Sequence, residues 1–269
     1  VVANAGSYEL RFFDAEGRFR RSFRMPEADG FVVLEDVFAD GSSVAAVSPG
    51  YRSDETATGV HRAEVRLLEP DPEGTVRRDL GVFPGDESYA LSSAGSMIVG
   101  PLVFGASLDV AVSGDGVLVG ITDEPDLRLL SAAGERRIAL DVPAQRTTGD
   151  EFREEVERYL EAFPPDARKI EARRFDDMPR LEVLPLFEDL RTDAAGRIWV
   201  RNQLGPGEPR RMWTVLDPSG EPIARMRTPD GAEILELGVE HVVVLTRDEL
   251  DVERVEVRPL QRTGCASPR

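Results

Sequence analysis

Apolar and polar positions alternate in short bursts along most of the chain, and the bursts end in a recurring phrase: two apolar residues, a polar or acidic one, two variable positions and a glycine. The first instance is Phe12-Phe13-Asp14-Ala15-Glu16-Gly17. It returns at Leu129-Leu130-Ser131-Ala132-Ala133-Gly134 and Val215-Leu216-Asp217-Pro218-Ser219-Gly220, with a longer form at Leu67-Leu68-Glu69-Pro70-Asp71-Pro72-Glu73-Gly74. Each reads as a strand running into a tight turn. A second apolar stretch follows each glycine, at 19–23, 76–80, 138–142 and 223–226, so every unit contains a β-hairpin.

Another element precedes each hairpin after the first, a glycine turn followed by an apolar strand: Gly41 before 44–47, Gly116 before 117–119, Gly196 before 198–200. Upstream of these lie further apolar stretches at 31–38, 108–112 and 185–190. Four short antiparallel strands repeating every 50–60 residues or so predict an all-β fold, a β-propeller of four-stranded blades. A β-sandwich would not group its strands into fours with matching turn residues. The chain shows about five such units, the last at 239–260 with its bend near Asp248–Asp251, and the first incomplete. A six-bladed propeller represented in part and a ring of five blades both fit this count. The expected domain runs over 1–262, followed by a polar tail at 263–269.

One interval breaks the rhythm. From Gly149 to Phe163 the residues Phe152, Val156, Tyr159, Leu160 and Phe163 fall at helical spacing, and Thr148-Gly149-Asp150-Glu151 has the pattern of a capping box. Pro164-Pro165 is expected to end that helix, within an insertion spanning 146–184. The helix could lay its apolar face on its own domain, cover one end of the propeller axis, or dock a partner.

The stretches Val2-Ala3-Asn4-Ala5-Gly6 with Leu10–Phe19, Asp189–Val200, Arg211–Gly220 and Leu245–Val255 resemble blades of the bacterial NHL-like six-bladed β-propeller proteins. The resemblance covers most of the chain and specifies fold. It implies a periplasmic or envelope-associated protein, since members are commonly exported or lipid-anchored, and it implies no particular chemistry.

Composition narrows the partners. The 269 residues carry 33 basic and 50 acidic side chains, a net charge of −17, which disfavours nucleic acid and anionic membranes. The longest apolar runs, such as Val242–Leu245, are far too short to span a bilayer. Lys169 is the only lysine among those basic residues, so arginine–carboxylate pairs should be common. The single cysteine, Cys265, excludes an intrachain disulfide. The sequence opens on Val1 without a leader, so localisation is not read from it directly.

No nucleophile elbow, phosphate-binding glycine loop or zinc-spaced Cys/His cluster occurs, and His61 and His241 are too few for a histidine-based centre. His241 reads as packed or hydrogen-bonded at a strand start, and His61, following the polar loop 52–59, as exposed. Two sets of residues carry chemistry. Asp109 and Asp189 each stand seven residues before a turn glycine, and Glu35, Asp36 and Glu188 lie in the same strand type. Converging on the axis, these carboxylates could hold calcium. The second set is the loop 201–211, with Arg201, Asn202, Gln203, Arg210 and Arg211 flanked by Trp199 and Trp213, suited to a peptide or carboxylate ligand. Together these predict an extracytoplasmic binding or interaction module for a protein, peptide or small-molecule ligand, needing no cofactor. The alternative is a calcium-dependent lactonase or esterase whose carboxylate activates water.

Overall fold

The computed structural model describes residues 2–4, 9–14, 16–24, 30–49, 57–93, 96–203, 212–228, 232–248 and 252–260. Arg210, Arg211 and the tail at 263–269 lie outside them.

The chain forms five antiparallel sheets in sequence order. The first comprises β1 (Val2–Asn4), β2 (Glu9–Phe13) and β3 (Phe19–Arg24). The second has five strands: β4 (Phe31–Val37), β5 (Ser43–Ser48), β6 (Gly59–Pro70), β7 (Val76–Ser93) and β8 (Ser96–Pro101). The third holds β9 (Leu108–Ser113), β10 (Gly116–Ile121), β11 (Asp126–Ser131) and β12 (Gly134–Ala139). After helices α1 (Gly149–Glu161) and α2 (Pro165–Asp176) comes the fourth, β13 (Phe187–Thr192), β14 (Ile198–Asn202), β15 (Met212–Leu216) and β16 (Pro222–Arg227). The fifth is β17 (Glu233–Leu237), β18 (His241–Arg247) and β19 (Glu253–Pro259).

The recurring phrase has a local cause. Asp217 Oδ1 accepts from the amides of Ser219, Gly220 and Glu221 at 2.8, 3.0 and 3.1 Å, and Gly220 continues with φ 103°, a conformation that costs glycine little. Asp14, Asp71 and Asp193 accept from following amides in the same way. In the longer form it is therefore Asp71, not Glu69, that makes the turn.

Successive sheets pack face to face. Leu10, Phe12 and Phe23 meet Val32 and Ala45; Val44, Ala46, Leu67 and Phe83 meet Val117 and Val119. Leu118, Leu127 and Ile138 meet Phe187, Leu190, Ile198 and Val200, and Trp199, Trp213 and Val215 meet Ile234, Val242 and Val244. Alternate residues of one strand thus serve opposite neighbours, which is why β10, Gly116-Val117-Leu118-Val119-Gly120-Ile121, is buried throughout. Blade stacked on blade in chain order is the packing of a β-propeller. The inner strands are also sewn together. Val112 N–H donates to Asp36 Oδ2 at 2.7 Å, Thr192 Oγ1 donates to Val112 O, and Arg191 Nη1 donates to Ile234 O at 2.6 Å.

The blade count differs in detail from the sequence pattern. Two of the five sheets have four strands. No hydrophobic cluster among the described residues joins the fifth sheet to the first, and on the outward face of the fifth Val255 and Val257 are 64% and 68% exposed.

The insertion holds two helices. The capping box at Thr148 forms as expected, with Thr148 Oγ1 accepting from Glu151 N and the Glu151 carboxylate accepting from Thr148 N. Thr148→Ala should lower stability by about 1 kcal/mol, read as faster amide exchange in the first turn of α1. Pro164-Pro165 ends α1 but also starts α2, because Pro165 sits at the first helical position, where its missing N–H is not needed. Phe152, Phe175 and Met178 pack on Tyr89, Leu102 and Val103, so both helices lie on the far half of the β7–β8 hairpin. That arm was not expected. The sequence pattern predicts a strand only at 76–80, yet β7 runs for 18 residues, straight through Pro84-Gly85.

Candidate functional site

Three of the inner strands bring the predicted carboxylates together. Asp109 on β9 is held up to about 8 by burial first, then by Asp189, Asp86 and Glu35, against the opposing pull of Arg201. Glu35 on β4 is raised to about 7 by burial, Asp86 and Asp36. Contacts join the same strands: Val112 N on β9 donates to Asp36 of β4, Thr192 Oγ1 of β13 donates to Val112 O, and Leu108 N beside Asp109 donates to Asp86, at the end of the axis here called the mouth.

β-Bulges help to aim them. Pairing slips between Leu34 and Asp36 in β4, and between Phe187 and Asp189 in β13, leaving Glu35 and Glu188 as the extra residues. β17 slips at the corresponding place, between Ile234 and Glu236. An extra residue bends the strand and redirects a side chain, a device common beside binding sites.

The carboxylates are not equivalent. Asp36 is committed to structure, its oxygens accepting from Val37 N and Val112 N, both at 2.7 Å. Arg201 lies against β13, its Nε 3.1 Å from Glu188 and its Nη1 3.8 Å from Asp189. Arg191 Nε reaches Asp189 from the other side at 3.2 Å. Asp109 Oδ2, by contrast, is buried with no hydrogen-bond partner.

Asp86 escapes sequence reasoning. It follows Pro84-Gly85 on the arm, and its Oδ1 accepts from Leu108 N at 2.9 Å, clipping the arm to the start of β9. Only the register of β7 places it at the mouth. The Pro-Gly pair inside an otherwise regular strand is the one signal that could have marked it.

The second predicted set divides. Arg201 belongs to the mouth, merging what the sequence presents as two sites. Asn202 Oδ1 accepts from Thr214 Oγ1 at 2.9 Å, and Gln203 follows half-buried at the end of β14. Trp199 and Trp213 are buried between the fourth and fifth sheets, with Trp199 Nε1 donating to Asp193 at 2.8 Å. His241 opens β18 with its ring against Gly238, and His61 Nε2 lies 2.7 Å from Ala57 O.

No family model matches the chain, and no curated protein matches it. Among solved structures it is similar to BamB from Moraxella catarrhalis, at 11% identity over 94% of this chain and 79% of that one, with a TM-score of 0.29. That likeness carries no functional argument. The propeller rests on the blade packing itself, and the site on its own geometry.

Calcium can be tested against that geometry. It takes six to eight oxygens at about 2.4 Å. Among the described residues no three Asp, Glu, His or Cys side chains are gathered closely enough to hold a metal ion. Glu188 and Asp189 already face arginines, and Asp36 faces amides. The oxygens left over among the described residues do not make up a calcium shell.

Proposed function

We infer that the protein is a binding module whose ligand sits at the mouth, between the inner strands and the arm. One observation carries this reading: half-buried carboxylates from β4, β9 and β13, with the exposed Asp86 of the arm at their edge, surround Asp109, which has an oxygen left unpaired. Concentrating like charge is unfavourable for folding, and strongly perturbed carboxyl groups of this kind gather at binding sites. A stacked β scaffold holding the site rigid lowers the ordering cost of binding. No helix among the described residues is long and apolar enough to cross a membrane. The resemblance of the blades to exported propellers supports a place in the periplasm or envelope, checked by fractionating cells that make the full-length gene product.

A ligand-observed NMR screen with cationic, anionic and neutral fragments tests the site, with hits mapped by amide hydrogen exchange. Protection is expected at Leu108–Val110, Glu188–Leu190 and Gly85–Glu87. Hits that map only elsewhere, or no hits, count against the reading. The same protein is expected to hydrolyse neither a γ-lactone nor a p-nitrophenyl ester faster with millimolar calcium. Calcium-stimulated turnover abolished by Asp109→Asn would instead support the hydrolase.

A further inference from the structure

We propose that the mouth selects a primary ammonium or guanidinium group, the chemistry of a lysine or arginine side chain or of a polyamine, with Asp109, Glu35 and Asp86 as its acceptors. This rests on the mouth being a binding site and adds the chemical class of what it binds.

Charge comes first. Glu35, Asp36, Asp86, Asp109, Glu188 and Asp189 face Arg191 and Arg201, so negative charge is in excess even when both arginines are counted. The arginines pair with β13, and the pull of Arg201 on Asp109 is outweighed by burial and the neighbouring carboxylates. On the β4 and β9 side, Asp36 is taken up by two amides, while Asp109 Oδ2 has no partner and Glu35 accepts no hydrogen bond from any described residue.

Geometry then separates organic cations from metal ions. A metal needs its oxygens within one small sphere, which the described side chains do not form. A guanidinium spreads five N–H donors over several ångströms, and an ammonium, though its three donors share one nitrogen, needs only two or three acceptors where calcium needs six to eight, so either is served by a sparser set of oxygens. The mouth already holds guanidinium groups against carboxylates: Arg201 forms ion pairs with the adjacent Glu188 and Asp189 of β13, and Arg191 Nε donates to Asp189 at 3.2 Å. Because these groups are half-buried, a charge-assisted bond there is screened less than one on an open surface.

A distinctive signature follows. Near neutral pH, Asp109 and Glu35 retain protons because burial and neighbouring carboxylates disfavour their ionised forms. An arriving cation reverses that balance, so its binding expels protons and strengthens as pH rises from 6 to 9. The groups setting this response are Asp189 and Arg201 on the fourth sheet, Asp36 on β4 and Asp86 on the arm.

Calorimetric titration with amidated trilysine, in two buffers of different ionisation enthalpy at pH 7.5, tests the proposal. Spermidine, the fully acetylated peptide and calcium chloride form parallel arms. Trilysine should bind with proton release, and Asp109→Asn and Glu35→Gln should each weaken it about tenfold while keeping a cooperative thermal transition no lower than that of wild type. Acetylated peptide should not bind. Spermidine binding as tightly as trilysine identifies a free polyamine as ligand; tighter trilysine binding identifies a peptide side chain. Either supports the ammonium class. No trilysine or spermidine binding, equal binding by the acetylated peptide, or insensitivity to both variants overturns it. So does micromolar calcium binding that displaces trilysine and is lost in Asp109→Asn, which makes the mouth a metal site. Anionic or neutral fragments protecting the mouth would sink the ammonium class and leave the binding site standing.

Discussion

Arg174→Ala is expected to lower stability by about 3–4 kcal/mol and to release the helical insertion from the arm before the blades unfold. Arg174 is 0% exposed. Its Nη1 donates to Pro101 O at 2.7 Å, its guanidinium lies over the rings of Phe175 and Tyr159 at 4.5 and 5.2 Å, and Glu171 stands 3.5 Å from its Nε. Truncation leaves the Pro101 carbonyl without its donor, Glu171 without its counter-charge, and a void between α2 and β8. Amide exchange should accelerate in α1, α2 and β8 and stay unchanged in β10. Equal acceleration everywhere would show that the insertion and blades unfold as one.

The same contact provides an internal control. A Cβ on Gly100 would come within 2.7 Å of the Arg174 Cζ and Nη2. Gly100→Ala alone should therefore destabilise the protein, yet cost much less in the Arg174→Ala background, where the void receives the methyl. A coupling of 1 kcal/mol or so in that double-mutant cycle is the expected result; strict additivity would disprove the contact. Arg174→Met with Glu171→Gln should recover most of the loss, since Arg174 Nε and Nη2 have no hydrogen-bond partner and a thioether of similar length fills the space.

Asp109→Asn should act in the opposite direction and only above acid pH. Its carboxyl titrates near 3.8 when unperturbed and is held up to about 8 in the folded protein by burial, Asp189, Asp86 and Glu35. The folded state therefore binds this proton more tightly than the unfolded chain does. The associated stability is complete below about pH 4, drains as pH rises, and is gone above about pH 8. Asparagine has no proton to lose, so the variant should be more stable than wild type at pH 8.5 by a few kcal/mol, on the order of 3, with the gap closing toward pH 4. Thermal melts across pH 4–9 measure it. A bound cation should narrow the gap at high pH by stabilising the ionised wild type, which links this measurement to the ligand proposal. A gap that widens toward acid would mean Asp109 is paired in a way that favours its charge.

Local chemistry explains what was readable from the chain. Asp14, Asp193 and Asp217 bond amides two to four residues onward, so their turns are written in a few consecutive positions. The capping box needs only Thr148 and Glu151. Counting from the turn glycines then places Asp109 and Asp189 equivalently, because inner strands of equal length carry the phase from turn to mouth. Two elements went beyond those local signals. Pro164-Pro165 ends α1 as expected but also starts α2, and β7 extends past the predicted 76–80 through Pro84-Gly85.

The sequence by itself determined the repeating hairpins, the blade type, the capped helix and the candidate carboxylates, since each depends on residues within one turn or one strand. Tertiary structure alone decided which carboxylates remain unpaired. Asp36 is satisfied by an amide 76 residues away, Asp86 arrives on an arm from the second sheet, and Arg201 neutralises β13 rather than lining a loop. Electrostatic pairing depends on distance in space, and in a stacked propeller the nearest charges come from other blades.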